Sequence, residues 1–367
     1  MNLTEKQRLE KWNNEQAAIY IVNDVLLITY IVLGIFGNAI VLIVYKYKMK
    51  QNVDDRYFIP WLALLDLLAC TFRSSFELSR KINPVNFRGT LLCKLCWIPV
   101  NITAFSSAIL LLVITFHRYL KVCRPFGQQM TLTWKRVGLG LCIGSSLLPT
   151  MVLNVYNKEL ELFNTDLNVT GYICDIDITR VDPGFFIFVA FASVLVLITL
   201  SGLLFLNTLI GRTIYRQLHA RKKMTSNFRG SVEQSSATEN THNLETFSGC
   251  QNGASISEQN PNREKTEILK ENCFSHSFSY MFMMVAIAFC LSYIPQFILL
   301  FASVGKNNFW INKSKSELAM LAAIREMNVM NNIINPVIYG YYDKLFRQKT
   351  IMFLKCKCSF YRRVYPE

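Results

Sequence analysis

The sequence predicts an all-α integral membrane fold, a bundle of seven transmembrane helices followed by a short amphipathic helix on the inner surface. Three observations lead there. Of 367 residues, 51% are hydrophobic and only 17% charged, whereas a soluble domain carries about a quarter charged residues. The deficit is gathered into seven long apolar runs rather than spread along the chain. The basic residues, which give a formal net charge of +14, fall in short segments between those runs and mostly on one side of the membrane they define.

A helix crosses a bilayer core with about 20 predominantly apolar residues. Segment 25–45 meets this with no charge, and 57–72 follows, interrupted only by Asp66. Segments 95–116 and 137–157 are uncharged, and 183–211 and 277–305 are long enough to project beyond the bilayer. Segment 318–342 closes the set with Arg325 and Glu326 inside it. The chain then divides into a short extracellular segment (1–19), a seven-helix domain (20–342), and an inner helix with its tail (343–367). Residues 1–16 are polar and lack an apolar signal region, so no cleavable signal peptide is expected. The stretch at about 220–272 is rich in Ser, Asn, Glu and Gln and is expected to be a disordered inner loop.

Orientation follows from the loops. Lys46, Lys48, Lys50 and Arg56 follow the first run; Lys121, Arg124, Lys135 and Arg136 lie between the third and fourth; Arg212, Arg216 and Arg221 follow the fifth. These share a side with the basic tail, which places the C-terminus in the cytoplasm and the N-terminus outside, at the plasma membrane. Asn2, Asn168 and Asn312 open glycosylation sequons on the outer side. Basic residues confined to membrane-flanking loops argue against a nucleic-acid partner and for membrane lipid. The eleven cysteines indicate neither a zinc module nor a small disulfide scaffold. No nucleophile–base pair or metal-spaced cluster suggests an enzyme.

Ionisable side chains at membrane depth are costly and usually mark function. Asp66 stands in the second run, and Asn38, Ser107, Asn331, Asn332 and Asn335 lie at similar depth in other runs. They read equally as a hydrated network holding a sodium ion or as plain helix–helix hydrogen bonds.

The motifs are more specific. Gly37-Asn38 with Val41 resembles GNxxV, Leu62 to Asp66 resembles LxxxD, and His117-Arg118-Tyr119 resembles DRY. Phe289, Ser292, Tyr293 and Pro295 resemble FxxCWxP, and Asn335-Pro336-Val337-Ile338-Tyr339 matches NPxxY. Their order, spacing and sidedness resemble the rhodopsin-like family of G-protein-coupled receptors, most closely its peptide-receptor branch, over nearly the whole chain.

That resemblance implies a set of sites. Cys93 lies roughly 37 Å along a helix from Arg118, at the outer interface, and Cys174 is the cysteine of the second outer loop. The family pattern agrees with a Cys93–Cys174 bridge; Cys96, a turn deeper, is the alternative. His117, Arg118, Tyr119, Pro295, Asn335, Pro336 and Tyr339 become the switch and coupling residues for a heterotrimeric G protein, with arrestin and receptor kinases as further partners. An agonist favours outward movement of the sixth helix about Pro295. The family's acid before the arginine is His117 here, and the position of the second acid expected low on the sixth helix falls at about Ser275, with Glu271 a further turn away. Arg118 is therefore expected to lack a local counter-charge, giving ligand-free signalling that His117→Asp would reduce. Val329 stands where opsins carry their lysine, and Val100 where amine receptors carry an aspartate, so neither ligand is expected. Arg73, Glu77, Trp97, Val100, Tyr293, Gln296 and Arg325 then line an outer cavity suited to a peptide, unless Arg73–Glu77 and Arg325–Glu326 merely satisfy one another. A non-peptide small molecule, or a seven-helix transporter or channel, are the alternatives. No cofactor is expected beyond a sodium ion acting as an allosteric modulator. On the inner side Leu345, Phe346, Met352 and Phe353 share a helix face, and Cys356 and Cys358 are candidate palmitoylation sites.

Overall fold

A computed structural model describes residues 3–49, 54–176, 183–235, 262–303 and 313–364. The chain opens with a helix that the polar composition of 1–19 did not suggest. In α1 (Glu5–Ala17) the Thr4 hydroxyl accepts from the Gln7 amide while the Gln7 side chain accepts from the Thr4 amide, satisfying two otherwise orphaned donors. A 3-10 turn (Ala18–Tyr20) carries it into α2 (Ile21–Ile43), which ends in a π turn (Val44–Lys48). A second 3-10 turn (Asp54–Arg56) precedes α3 (Ile59–Ile82), where Pro60 sits in the first turn and costs no hydrogen bond.

Next come α4 (Thr90–Cys123) and α5 (Leu132–Tyr156), the latter capped by Thr131. A β-hairpin follows, then α6 (Pro183–Ser235), α7 (Asn262–Ser303), α8 (Lys315–Tyr342) and α9 (Lys344–Val364). Helix α8 has its own capping box, Ser314 with Glu317. Helices α6 and α7 extend into the stretch 220–272 that composition assigned to a disordered loop; residues 236–261 of it lie outside the described residues. Helix-forming Arg, Lys, Met, Glu and Leu at its two edges let the helices run on.

The third membrane helix, α4, is the axis of the bundle, packing against α3, α5, α6 and α7. A continuous core of Val41, Leu62, Leu110, Ile114, Phe282, Phe289 and Tyr339 joins the bundle's elements. Helices α2 and α3 approach so closely at Gly34 that an added Cβ would lie 2.2 Å from the Cys70 Sγ, the small-residue contact typical of membrane helices. Outward, Ile28, Val32, Phe36, Leu141, Leu148, Ile187, Leu197 and Phe205 are exposed. Apolar belts of this extent have no place in water. Among the described residues six helices are long and apolar enough to cross a membrane by length and composition. Helix α8 falls short of that measure because Glu326, Asn328, Asn331, Asn332 and Asn335 are on it, all buried inside the bundle.

The second outer loop is a hairpin, β1 (Asn157–Asn164) antiparallel to β2 (Val169–Ile176), with Asn164 opposite Val169 and Glu159 opposite Cys174. Its turn is closed by the Asn164 side chain, which accepts from the amides of Asp166 and Leu167. Asn168 takes the left-handed conformation (φ 47°) that asparagine tolerates, and it is exposed there. The first outer loop adds to the hairpin: the Tyr172 amide donates to the Val85 carbonyl and the Phe87 amide to the Tyr172 carbonyl. Helix α1 closes over both, with Leu9 and Trp12 packed on Val85 and Val169. Gly171 is needed there, because a Cβ would meet a Trp12 ring carbon at 2.7 Å.

Candidate functional site

Polar side chains gather at three depths of the bundle. At the outer mouth, Cys93 on α4 is bonded to Cys174 on β2, with Cα atoms 5.6 Å apart, while Cys96 stays free. The hairpin is held a second time by charge, since the Arg80 guanidinium donates to the carboxylate of Asp175 at 2.9 Å. Arg80 also lies over the Trp97 and Phe76 rings, 5.5 and 5.8 Å from their centroids. Glu77, buried below it, accepts from Arg325 of α8 at 3.0 Å and from Arg80 at 3.5 Å. Lys81 pairs with Glu326, and Asn328 donates to Gln296 across α7 and α8. Phe289, Tyr293 and Phe297 stack in a column along α7. Val100 is buried in the same apolar cluster as the disulfide, with Phe76 and Phe87.

The ion pairs are not the Arg73–Glu77 and Arg325–Glu326 pairs that the sequence offered. Glu77 bonds Arg325 and Arg80 rather than Arg73, and Glu326 bonds Lys81 rather than Arg325. Consecutive residues on a helix point apart, and the neighbouring helix offers Glu77 a partner that shared helix spacing alone does not reveal. Arg73 is left with no ion pair among the described residues, and its buried Nε has no hydrogen-bond partner. The Trp97 indole N–H is also buried and unpartnered.

At mid-depth, Asn335 donates to the Asp66 carboxylate at 2.7 Å, and Asn38 donates to the Gly34 and Asn332 carbonyls. Oxygens of Asp66, Asn38, Ser107, Asn331, Asn335 and Tyr339 remain buried with no protein partner. Orphaned buried oxygens are rare in folded proteins and call for water or a cation.

At the inner end the structure departs from expectation. Arg118 is 2% exposed and pressed against the Phe282 ring, 4.7 Å from its centroid. Its guanidinium donates to the Asp55 carboxylate at 2.5 Å and to the Asp55 carbonyl. The counter-charge expected to be missing is therefore present, supplied by the turn before α3 rather than by α4 or α7. Next to it His117 meets Asp54 at 3.3 Å, and Lys135 of α5 also bonds Asp54. Arg56 completes the turn with a two-pronged pair to Asp343, at 2.9 and 3.0 Å. Tyr119 faces away, packed with Ile210 and Ile214 of α6. Pro295 and Pro336 sit inside α7 and α8, and Tyr339 is fully buried.

Residues 37–339 match the family model described as "7 transmembrane receptor (rhodopsin family)". The chain belongs to that family. Its members are receptors rather than enzymes, and the transporter or channel alternative falls with membership. The receptor is similar in fold to squid rhodopsin, with a TM-score of 0.60 at 14% identity, covering 91% of this chain and 84% of that one. Among curated proteins it is 31% identical over 158 residues to the C3a anaphylatoxin chemotactic receptor of Oncorhynchus mykiss, covering 42% of each chain. It is 29% identical over 163 residues to the type-1 angiotensin II receptor of Bos taurus, 42% of this chain and 44% of that. It is 32% identical over 118 residues to the human muscarinic acetylcholine receptor M1, 32% of this chain and 25% of that. The matched part of the receptor thus spans less than half the length of these relatives.

The residues that sequence reasoning missed are Asp54, Asp55, Lys135 and Asp343 inside, and Arg80, Lys81, Asp175 and Asn328 outside. A signal existed for the first two: an acid pair amid an otherwise basic inner loop. Asn2, Asn312 and the side chains of Ser275, Glu271, Cys356 and Cys358 lie outside the described residues.

Proposed function

We propose that this receptor binds an extracellular peptide at its outer mouth and activates a heterotrimeric G protein at its inner end, from the plasma membrane with its N-terminus outside. The observation that carries the peptide reading is the outer charge cluster. Glu77, Arg80, Asp175, Arg325, Lys81 and Glu326 lie in ion pairs, whereas Arg73 has none among the described residues, and its Nε–H and the Trp97 N–H are buried donors without acceptors. Such donors suit the carboxylates and carbonyls of a peptide. Tyr293, Gln296 and Val100 are the further residues proposed to meet the ligand. Two of the relatives named above are receptors for peptides, which supports the same ligand class. The acetylcholine receptor among them keeps a non-peptide small molecule as the second reading, and Val100 on the third membrane helix, where no acid is available to an ammonium, weighs against it. Screening synthetic peptides with free and amidated C-termini against cells bearing the receptor tests the reading. Peptide-evoked signalling that Arg73→Gln weakens supports it; a response only to small non-peptide molecules counts against it.

The mid-depth cluster fits a sodium ion. Its unsatisfied groups are oxygens, the donor type hard cations take, with one carboxylate to balance charge. Asp66, Asn38, Ser107, Asn331 and Asn335 would hold it, and sodium would supply a fixed positive charge that favours one packing of α3 against α8. At the inner end, Arg118, His117, Tyr119, Pro295, Asn335, Pro336 and Tyr339 would rearrange as α7 swings out to admit the G-protein α-subunit. Arrestin and receptor kinases would meet the same face, with Cys356 and Cys358 as acyl anchors.

A further inference from the structure

Three consecutive residues in the turn before α3 gather the inner end of the bundle. Asp54 bonds Lys135 of α5 and meets His117 and Lys121 of α4. Asp55 bonds Arg118 and Lys121 of α4, the latter at 2.8 Å. Arg56 bonds Asp343, the residue before α9. Only one of these contacts involves a coupling arginine whose other surroundings are apolar. Arg118 lies between Asp55 and the rings of Phe282 and Phe278, at 4.7 and 5.6 Å. A buried guanidinium stripped of its carboxylate is strongly disfavoured, so Asp55 sets how easily Arg118 leaves this position. The aromatic wall belongs to α7, so the arginine cannot leave without disturbing that helix.

We propose that Asp55 is the resting-state counter-ion of Arg118, a positioning residue on the first inner loop that takes over from the acid His117 replaces. The carboxylate and the main-chain carbonyl of one residue hold two guanidinium nitrogens, so release requires the turn itself to shift. His117 is compatible with this arrangement, and an acid there is not: its ring faces Asp54 and lies edge-on to Phe58 at 5.6 Å, where a carboxylate would meet like charge. The device is thus moved rather than lost. Release of Arg118 would loosen the turn and the inner end of α7 together.

The proposal rests on G-protein coupling for its functional readout, so the test pairs that readout with one that does not need it. Full-length receptor in lipid discs is assayed for ligand-free nucleotide exchange on heterotrimeric G proteins, and for amide hydrogen exchange at 54–58 and 278–285. Asp55→Asn is expected to raise ligand-free exchange about tenfold, the ratio that losing a charge-assisted bond commands, and to deprotect 278–285. Asp55→Glu, which keeps the charge, is expected to stay nearest the wild type. If Asp55→Asn cannot be purified folded, the wild type alone decides: residues 54–58 should lose protection when nucleotide-free G protein binds. Deprotection of 278–285 in Asp55→Asn without exchange on any G protein would keep the counter-ion and sink the coupling. Wild-type protection and exchange in folded Asp55→Asn, or 54–58 still protected in the G-protein complex, would overturn the proposal.

Discussion

Asp343 offers the sharpest test of how α9 is fixed to the bundle. Its carboxylate is buried (2% exposed) and accepts five hydrogen bonds: two from Arg56, one from the Tyr45 hydroxyl at 2.8 Å, and one each from the Leu345 and Phe346 amides at 3.1 Å. Asp343→Ala removes the carboxylate that pairs Arg56, which is 7% exposed, and removing one partner of a buried pair costs about 3–5 kcal/mol. The two amide bonds are those of a helix N-cap, whose loss costs about 1 kcal/mol and overlaps with the first figure rather than adding to it. A shift of that size lowers the unfolding midpoint by roughly 4–6 °C in a chain this large. Cys70, Cys142 and Cys290 are buried free thiols, so a thiol-reactive dye reports unfolding of the core in detergent directly. Asp343→Asn should fall between the two, because an amide oxygen still caps the helix but cannot neutralise Arg56. A double-mutant cycle with Arg56→Ala should recover most of the loss as coupling. An Asp343→Ala receptor that melts with the wild type, or a cycle with no coupling, would refute the buried pair as the clamp of α9.

Three further outcomes follow from particular contacts. Gly34→Ala forces α2 and α3 apart against Cys70 and should cost about 1–3 kcal/mol; an unchanged melting point in the same dye assay would show that the helices are not in contact there. Cys174→Ser should cost about 2–4 kcal/mol and leave the hairpin open to proteolysis within 157–176, whereas Cys96→Ser should change neither; equal cleavage of the two variants would contradict the Cys93–Cys174 bridge. If sodium binds the mid-depth cluster, then at ten times its dissociation constant it stabilises by about 1.4 kcal/mol. Replacing choline by sodium should then raise the melting point of the wild type but not of Asp66→Asn, and a sodium effect that survives Asp66→Asn would place the ion elsewhere.

Much of the architecture was legible because hydropathy acts locally. Each apolar run became a helix, although α3, α6 and α7 run ten or more residues past the expected bounds, and the Lys and Arg asymmetry needs no tertiary knowledge. The amphipathic pattern around Phe346 corresponds to α9, whose buried face stacks Phe346 on Tyr45. Helix α1 was readable too, from Thr4 and Gln7 at capping-box spacing, but its polar composition drew attention away. The hairpin was harder: alternation in Glu159 to Leu162 is short, and its pairing with the first outer loop depends on residues far apart in sequence. Ion-pair partners were the least legible part. Nothing local tells Glu77 to choose Arg325 over Arg73, and nothing near Arg118 announces Asp55, because both pairings are made by the packing of separate helices. Inferring a missing counter-charge from the two positions where relatives carry one overlooked the acids that this sequence places on another element.

Nucleotide exchange on purified components tests the central claim most directly. The receptor in lipid discs, mixed with each class of heterotrimeric G protein and a panel of extracellular peptides, is followed by uptake of a non-hydrolysable GTP analogue. The expected result is uptake above that of empty discs for at least one heterotrimer, raised by a peptide and diminished in Arg118→Ala. Uptake that is the same with and without the receptor, for every heterotrimer and every peptide, would contradict it.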